Sequence, residues 1–328
     1  MSTGTRDTSG AGPSQAASSA PSGGSAAATA ASVGGSLRIG INPISWSNDD
    51  LPSLGGETPL DVALSEGARI GYQGFELGNK FPREPRALRA VLQPYGLALV
   101  SGWYSGRLAR GGVDDEIAAV RSHLTLLAEG GANVMVYGEV ADSIQGSPAP
   151  LYKRPRFVDA AQWRDYGRRV TEFAKYTLDH GVRLAYHHHM GAYVEAPEDV
   201  DRLMENVGDA VGLLFDSGHM TFAGGDAVAM LDRYALRVCH VHCKDVRPDV
   251  IALARNRDWS FLESVINGAF TVPGDGAIDF AALIDILDRN DYRGWLVVEA
   301  EQDPAVAPSY RYADMGYRHL SQIVKRAA

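Results

Sequence analysis

The sequence predicts an α/β protein in which eight parallel strands and their helices close into a (β/α)8 barrel. From residue 37 onward, short apolar β-rich runs alternate with longer amphipathic segments, and there are eight such runs. Strands that alternate with helices form parallel βαβ units, and right-handed connections allow eight units to close on themselves. About 290 of the 328 residues follow residue 36, which is enough for a barrel that typically takes about 250.

The strands and helices can be assigned in chain order. The predicted strands are Leu37–Ile41, Gly74–Gly78, Leu97–Gly102, Asn133–Gly138, Arg183–His189, Val211–Asp216, Arg237–Cys243 and Gly294–Glu301. The helices predicted between them include Pro59–Ile70, Asp114–Glu129, Ala160–His180, Pro197–Asn206, Asp226–Tyr234 and Asp279–Asn290. For the first helix, Thr58 is expected to be the cap and Pro59 the first helical residue.

A doubly wound open sheet is the main alternative fold. It often has a glycine-rich nucleotide loop after its first strand, whereas NPISWSNDD follows the first strand here. The glycine-rich stretch at Gly224–Ala227 is expected to be an ordinary turn. Two long connections, Val140–Asp159 and Val246–Gly276, follow the carboxyl ends of the fourth and seventh strands, where a barrel keeps its active site. We therefore expect them to form lids or pocket walls.

The first 36 residues differ in composition from the rest of the chain. They are mostly Ser, Gly, Ala and Thr and contain no Leu, Ile, Phe or Tyr. Such a segment cannot bury enough apolar surface to offset the entropy of ordering it. Residues 1–36 are therefore predicted to be a disordered tail, and residues 37–328 a single catalytic domain. Because Arg6 and Asp7 are its only charges and no apolar run follows them, a secretory signal is not expected.

Charge and cysteine content argue against several classes of protein. The formal net charge is −9 without any basic run of five residues, which disfavours nucleic-acid binding. No stretch of about 18 apolar residues occurs, so no membrane span is expected. Cys239 and Cys243 are four apart in a predicted strand, about 13 Å at roughly 3.3 Å per residue, which is too far for a disulfide. A reducing cytoplasm is the simplest location.

Four consecutive predicted strands end in residues that can bind a metal. On the fifth strand, His187 and His189 share one face and His188 lies on the other. One polar strand end is common, whereas four in a row are hard to ascribe to packing. Imidazole and carboxylate together suit Mn²⁺, Co²⁺, Fe²⁺ or Zn²⁺ better than Mg²⁺ or Ca²⁺. The candidate ligands are His187, Asp216, His242 and Glu299.

Further candidates lie close to these strand ends. His219 follows Asp216 at a D-x-x-H spacing that lets a turn imidazole reach the same point, although a helix-capping Asp explains the pattern as well. Lys244 shares a face with His242 and is either a cation that reaches a substrate oxygen or a solvated side chain. His240 lies deeper and is more often a core histidine.

A last group of candidates belongs to the other strands. Glu139 follows the fourth strand, and Glu76 within the second is equally well explained as a polar residue of the barrel interior. Glu301 is expected to be solvated or to lie behind the ligands. Residues after the first and third strands that suit the wall of a polyol site are Asn42, Trp46, Trp103 and Tyr104. Packing under a loop explains the two tryptophans equally well. The candidates for substrate contact are Asn42, Trp103, Glu139 and His240.

Taken together, Asp216-x-x-His219, His240-x-His242 and Glu299 resemble the xylose-isomerase-like barrel superfamily, and within it the inosose dehydratases. The resemblance covers essentially all of residues 37–328. The segments that carry it are GINPISWSNDD, GFELGNKFP, LAYHHHMGAYVEAPEDVDRLM, LLFDSGHMTFAGGD and HVHCKDVR.

The resemblance also implies a ligand set. The superfamily's usual metal shell is Glu, Asp, His and Glu from strands five to eight. The last three are matched by Asp216, His242 and Glu299. The fifth-strand Glu is replaced here by His187, so the first ligand could be His187, His189 or Glu139.

The resemblance implies metal-dependent dehydration of 2-keto-myo-inositol, a small polyol ketone, to a trihydroxycyclohexane-1,2-dione. It implies Mn²⁺ or Co²⁺, and also glutathione, for which nothing in the sequence indicates a site. The reaction removes a proton alpha to the ketone and expels the beta hydroxyl, with an enediolate stabilised by the metal. By analogy, His219 is the first candidate for proton transfer, followed by His189 and Lys244.

Three other functions remain open from the sequence. An isomerase or epimerase of a sugar ketone uses the same metal-enediolate chemistry. It differs only in that the intermediate is reprotonated instead of losing hydroxide. An apurinic endonuclease needs more ligands and a basic groove, which the net charge of −9 disfavours. A non-catalytic sugar-binding barrel is disfavoured by the intact ligand set. A homo-oligomer is also open, because superfamily members are often dimers or tetramers.

Overall fold

Eight parallel strands close into a barrel in the computed structural model, which describes residues 37–49 and 51–327. The strands of the barrel are β1 (Arg38–Ile41), β2 (Gly74–Leu77), β3 (Ala98–Gly106), β4 (Val134–Glu139), β5 (Arg183–His187), β6 (Gly212–Asp216), β7 (Val238–Cys243) and β10 (Trp295–Val298). Consecutive barrel strands pair in parallel, and β10 pairs with β1 to complete the circle. The predicted fold class is confirmed.

Helices follow the strands around the outside of the barrel. They are α1 (Leu60–Ile70), α2 (Pro85–Leu92), α3 (Val113–Gly130), α4 (Ala160–Asp179), α5 (Pro197–Asn206), α6 (Ser217–Phe222), α7 (Ala227–Tyr234), α8 (Pro248–Asn256), α9 (Phe261–Ile266), α10 (Phe280–Arg289) and α11 (Ser309–Ala327). Aspartate side chains cap α4, α7 and α10, as helix starts prefer. The expected cap at Thr58 is wrong, because Pro59 precedes the first turn of α1 and no side chain caps it.

Two predicted strands extend further than the observed ones at the carboxyl end of the barrel. β5 ends at His187, because the backbone N–H of His189 donates to the Val194 carbonyl (3.0 Å) in the following loop rather than to a neighbouring strand. β10 ends at Val298, so Glu299 lies just beyond the paired residues. Polar side chains at this end therefore sit on the last strand residues and the first loop residues.

The connection over Val246–Gly276 is well structured. It contains α8, α9 and β9 (Phe270–Thr271), which pairs with β8 (Asp245–Val246) in a small antiparallel sheet. These elements enclose a separate apolar cluster that includes Phe222, Ile251, Phe261, Val265 and Phe270. The Phe261 ring lies 5.0 Å from the His189 ring, so this connection borders the strand ends.

The connection over Val140–Asp159 contacts these elements. Pro150 forms a β-bridge with Ser260, which precedes α9. The buried guanidinium of Arg154 pairs with Glu195 (3.1 Å) and Asp199 (2.6 Å) and anchors the segment to the α5 region.

The sequence also makes predictions about the amino-terminal tail, the cysteines and membrane spans. The predicted tail, residues 1–36, lies outside the described residues, so the domain boundary stays a prediction. Both cysteines are free thiols. Across residues 37–49 and 51–327, no helix has the length and apolar character that a membrane crossing requires.

Candidate metal centre

The carboxyl ends of β5, β6, β7 and β10 bring four metal-binding side chains to one point. One ligand atom from each of His187, Asp216, His242 and Glu299 lies within 4.8 Å of all the others. The strand register explains this, because Asp216 pairs with His242, and Val297 pairs with His242 from the other side. Glu299 lies two residues beyond Val297, and alternate strand residues share a face. We call these four residues the candidate metal centre.

The ligand atoms of the centre are close enough to share one ion. His187 Nε2 lies 3.6 Å from Asp216 Oδ2, and His242 Nδ1 lies 3.5 Å from the same oxygen. His242 Nδ1 also lies 2.5 Å from Glu299 Oε2. The least buried of the four side chains, Glu299, is 9% exposed, so water screens their charges poorly.

Three buried atoms of the centre make no well-formed hydrogen bond. His242 Nδ1 lies within ion-pair distance of Asp216 Oδ2 and Glu299 Oε2, and Lys244 Nζ lies 3.7 Å and 3.4 Å from these oxygens, but within the described part of the chain none of the three atoms makes a hydrogen bond of good geometry. The protein itself therefore uses their lone pairs poorly. A divalent cation would satisfy all three at once, and the donor set fits one.

Neighbouring acceptors determine which nitrogen of each ligand histidine faces the centre. His187 Nδ1 lies 2.7 Å from the carbonyl oxygen of His188, so Nδ1 carries the proton and Nε2 presents its lone pair to the centre. His242 has the opposite orientation, because its Nε2 lies 3.2 Å from a carboxylate oxygen of Glu76 and its Nδ1 faces the centre.

A second cluster lies deeper in the barrel and shares His242. Glu76 Oε1 accepts hydrogen bonds from Ser101 Oγ (2.5 Å), His240 Nε2 (2.8 Å) and His242 Nε2 (3.2 Å). Its Oε2 accepts from Asn42 Nδ2 (2.7 Å). Burial opposes ionisation of Glu76, but the two histidines hold the pKa of Glu76 well below its usual range. These five residues, which we call the Glu76 cluster, therefore already satisfy both carboxylate oxygens.

A fully buried lysine compensates the charge of the centre. Lys244 Nζ lies 2.7 Å from Glu301 Oε2. It also lies 3.4 Å from Glu299 Oε2 and 3.7 Å from Asp216 Oδ2. Burial alone would lower the pKa of Lys244, but these carboxylates raise it above its usual value, so the side chain is a permanent cation. Gly218 leaves room for it, since a Cβ there would meet Lys244 Cγ at 2.6 Å.

A cavity of about 280 Å³ opens onto the centre, close to the lower end of the roughly 300–1,000 Å³ of small-molecule sites. The residues on its wall that the sequence had offered as site candidates are Asn42, Glu76, Trp103, His187, His189, His242 and Glu299. The Trp103 ring stands edge-on to the rings of His187 (5.7 Å) and His189 (6.0 Å). Gly138 makes this possible, because a Cβ there would lie 2.1 Å from the indole.

The expected proton-transfer residue His219 lies behind this wall rather than on it. Its ring packs 4.0 Å from the His189 ring and 5.3 Å from that of Phe270, and its Nε2 lies 3.0 Å from Lys244 Nζ. Burial and the charge of Lys244 lower the pKa of His219 well below its usual value. The reason is that α6 begins directly after Asp216, so its first turn carries His219 behind His189. Lys244 is likewise behind the wall.

Glu139 is also away from the cavity, which argues against its expected roles as ligand or substrate contact. Its Oε2 accepts hydrogen bonds from the backbone N–H of Ala109 (2.9 Å) and from the hydroxyl groups of Tyr137 (2.9 Å) and Tyr166 (3.1 Å). Its Oε1 accepts from the backbone N–H of Ala141 (2.9 Å). Burial raises the pKa of Glu139 to about 7. The carboxyl group thus accepts hydrogen bonds from buried donors around β4.

His240 also falls short of the expected substrate contact. It is fully buried beneath the cavity, where its Nε2 bonds Glu76 Oε1. This is the core histidine that the sequence offered as the alternative.

Sequence reasoning missed part of the cavity wall. The missed polar residues are Asp49, Asn79, Arg83, Ser105 and Gln145. Some signal was present, because Asn79 closely follows β2 and Gln145 lies in a connection predicted to be a wall. Glu301, expected either to be solvated or to lie behind the ligands, is 1% exposed and lies on the wall beside Glu299.

Comparisons with known proteins agree with this architecture. Residues 64–322 match the family described as xylose isomerase-like TIM barrel. Rhizopine catabolism protein MocC of Rhizobium meliloti is 52% identical over 293 residues, which cover 89% of this chain and 90% of that protein. An inosose dehydratase of Glaesserella parasuis serovar 5 is 42% identical over 290 residues, which cover 88% of this chain and 97% of that protein.

Among solved structures, a xylose isomerase domain protein from Alicyclobacillus acidocaldarius has a TM-score of 0.63 at 19% identity. The match covers 89% of this chain and 99% of that one and supports the fold alone. Because the family match spans most of the barrel and the more similar sequences align over nearly their whole length, the chain belongs to the xylose isomerase-like TIM barrel family and, within it, to the group of the inosose dehydratases.

Proposed function

We propose that this protein dehydrates an inosose, a cyclic polyol ketone, in a metal-dependent reaction. The proposal rests mainly on one coincidence. Relatives named inosose dehydratase align over most of the chain, and the strand ends hold a buried His-Asp-His-Glu cluster in which three atoms make no well-formed hydrogen bond. The substrate we propose is 2-keto-myo-inositol, and the product is a trihydroxycyclohexane-1,2-dione.

The candidate metal centre would hold the ion through His187, Asp216, His242 and Glu299. Two imidazoles and two carboxylates favour Mn²⁺ or Co²⁺ over Mg²⁺, which prefers oxygen ligands. Bound there, the ion would supply the positive charge that stabilises an enediolate. Of the three alternatives for the fifth-strand ligand, His187 is supported because its nitrogen belongs to the cluster, whereas Glu139 is bonded elsewhere.

Two side chains on the cavity wall are suited to proton transfer. His189 and Glu301 both border the cavity beside the centre. In this proposal one of them accepts the proton alpha to the ketone, and the other protonates the departing beta hydroxyl, which leaves as water. Exchange with solvent restores the pair. His219 and Lys244 support them from behind, since Lys244 Nζ bonds Glu301 Oε2 at 2.7 Å.

The rest of the wall suits an uncharged polyol. Asn79, Arg83 and Gln145 supply both donors and acceptors, which a ring with several hydroxyl groups requires. The flat indole of Trp103 offers an apolar face. The same proposal includes a cytoplasmic location, which rests on composition. It also includes a requirement for glutathione, which rests on the family resemblance. A homo-oligomer is compatible with it.

The test is an anaerobic assay of the metal-stripped protein on 2-keto-myo-inositol. We expect dione to form only after Mn²⁺ or Co²⁺ is added back, and to be lost in Asp216→Ala and Glu299→Ala. Metal-dependent exchange of solvent deuterium into the substrate without dione would move the assignment to an isomerase or epimerase. Metal binding with neither reaction would favour a sugar-binding barrel.

A further inference from the structure

His242 is the residue through which the two buried clusters meet. Its Nδ1 points into the candidate metal centre, 2.5 Å from Glu299 Oε2. Its Nε2 lies 3.2 Å from Glu76 Oε1 on the other side of the ring. A neutral imidazole carries one proton, so the nitrogen that keeps it cannot bind a metal.

Both ring nitrogens of His242 lie beside a carboxylate, Nε2 beside Glu76 and Nδ1 beside Glu299. Glu76 is 3% exposed and lies on β2, across the barrel from β7, where it lines the cavity. Glu299 belongs to the ligand set, so an ion in the centre would take both Nδ1 and Glu299. The proton of His242 then lies on Nε2, where Glu76 accepts it.

Glu76 is itself held rigidly. Ser101 Oγ and His240 Nε2 bond the same oxygen that faces His242, at 2.5 Å and 2.8 Å, and Asn42 bonds the other oxygen at 2.7 Å. The carboxylate cannot rotate toward the centre without losing these hydrogen bonds. Its acceptors are already filled, unlike those of Asp216 and Glu299, so it is not a further ligand of the centre.

We propose that Glu76 is a positioning residue that sets the metal affinity of the centre by holding His242 with Nδ1 directed at the ion. This inference rests on the proposed metal centre but not on the identity of the substrate. Residues that orient a ligand histidine in this way typically change metal affinity by about 10–100-fold when they are mutated.

The direct test is Co²⁺ titration of the metal-stripped wild type and of Glu76→Gln, followed by calorimetry and by the visible absorption of the bound Co²⁺. We expect the dissociation constant to rise by about 10–100-fold in Glu76→Gln and the absorption band to shift.

The matched control is Glu139→Gln. Glu139 is also a buried strand-end carboxylate with several hydrogen bonds, but it contacts no residue of the centre. We expect this variant to keep the wild-type Co²⁺ affinity and the wild-type absorption band of the bound Co²⁺, even where its thermal stability falls. A purely structural role of Glu76 would make the two variants alike, and that result would overturn the inference.

A second variant covers the case in which Glu76→Gln does not fold. Ser101→Ala removes one hydrogen bond to the oxygen that faces His242, and we expect it to weaken Co²⁺ binding several-fold. Unchanged affinity in Ser101→Ala would then count against the inference. Wild-type protein that binds Co²⁺ normally but forms no dione would contradict the proposed dehydration and leave the role of Glu76 intact.

Discussion

The candidate metal centre and the Glu76 cluster are built from the same kinds of residue, yet they differ in how their polar atoms are used. Both are buried groups of histidine and carboxylate, and both have the spacing of a metal site. Three atoms of the centre make no well-formed hydrogen bond, whereas both oxygens of Glu76 are bonded by side chains around them. Among the described atoms of the Glu76 cluster, His240 Nδ1 and the shared His242 Nδ1 are left without a hydrogen bond. Unused lone pairs, rather than residue type, therefore distinguish a site for an ion from a polar core.

The largest expected effect comes from the centre. Asp216→Asn should lower kcat/KM by at least about 10²–10³-fold, because it removes a charged ligand. The same variant should lower the Tm of the metal-free protein only slightly, since Asp216 Oδ2 makes no well-formed hydrogen bond, its ion pairs are 3.5 Å or longer, and the Oδ1 bond to the His219 N–H can be kept. Turnover and thermal unfolding in a chelator test this. A large loss of metal-free stability would show that Asp216 is structural in its own right.

The Glu76 cluster should behave in the opposite way. Glu76→Gln is expected to cost about 1–3 kcal/mol of stability in the metal-free protein, because histidine and serine donors lose a charged acceptor. Urea unfolding in a chelator measures the change. If Glu76→Gln and Asp216→Asn had equal metal-free stability, the contrast between the clusters would not hold.

A smaller effect is expected from exchanging the donor at the centre. His187→Glu replaces a nitrogen ligand by a carboxylate, so affinity should shift toward Mg²⁺ relative to Co²⁺ by roughly tenfold. Competitive titration of the two ions gives the ratio. His188→Gln is a suitable control, because His188 accepts from the Asp216 N–H (3.3 Å) and contributes no atom to the centre. An equal shift in both variants would show that the preference between Mg²⁺ and Co²⁺ does not depend on the ligand at position 187.

The last effect concerns Glu139, a satisfied carboxylate outside both clusters, and it is seen only as a change of stability with pH. Burial raises the pKa of Glu139 to about 7 from 4.5, so the folded protein keeps a proton that the unfolded chain has released. Stability contributed by this group is therefore full below pH 4.5 and is lost as the pH rises toward 7. Glu139→Gln should flatten that part of the stability profile in urea unfolding at several pH values. An identical slope in wild type and variant would show that other groups cause this pH dependence of stability.

The strand-end ligands could be predicted from the sequence because each follows its own apolar run, and a parallel barrel brings such ends together. Asp216 and His242 needed no knowledge of the loops. The residues around the cavity were harder to predict. The position of His219 behind the wall, for example, depends on where α6 begins and on the packing of Phe270. The support from Glu76 could not be seen at all, since its hydrogen bond to His240 joins residues 164 apart in sequence.

The buried ammonium of Lys244 has a consequence for charge balance. Asp216, Glu299 and Glu301 place three carboxylates around its Nζ, and one ammonium balances only one of their charges. Ionised Glu76, on the other side of His242, adds a further negative charge. The region therefore keeps a net negative charge in a poorly solvating interior, which favours a multiply charged cation over a monovalent one.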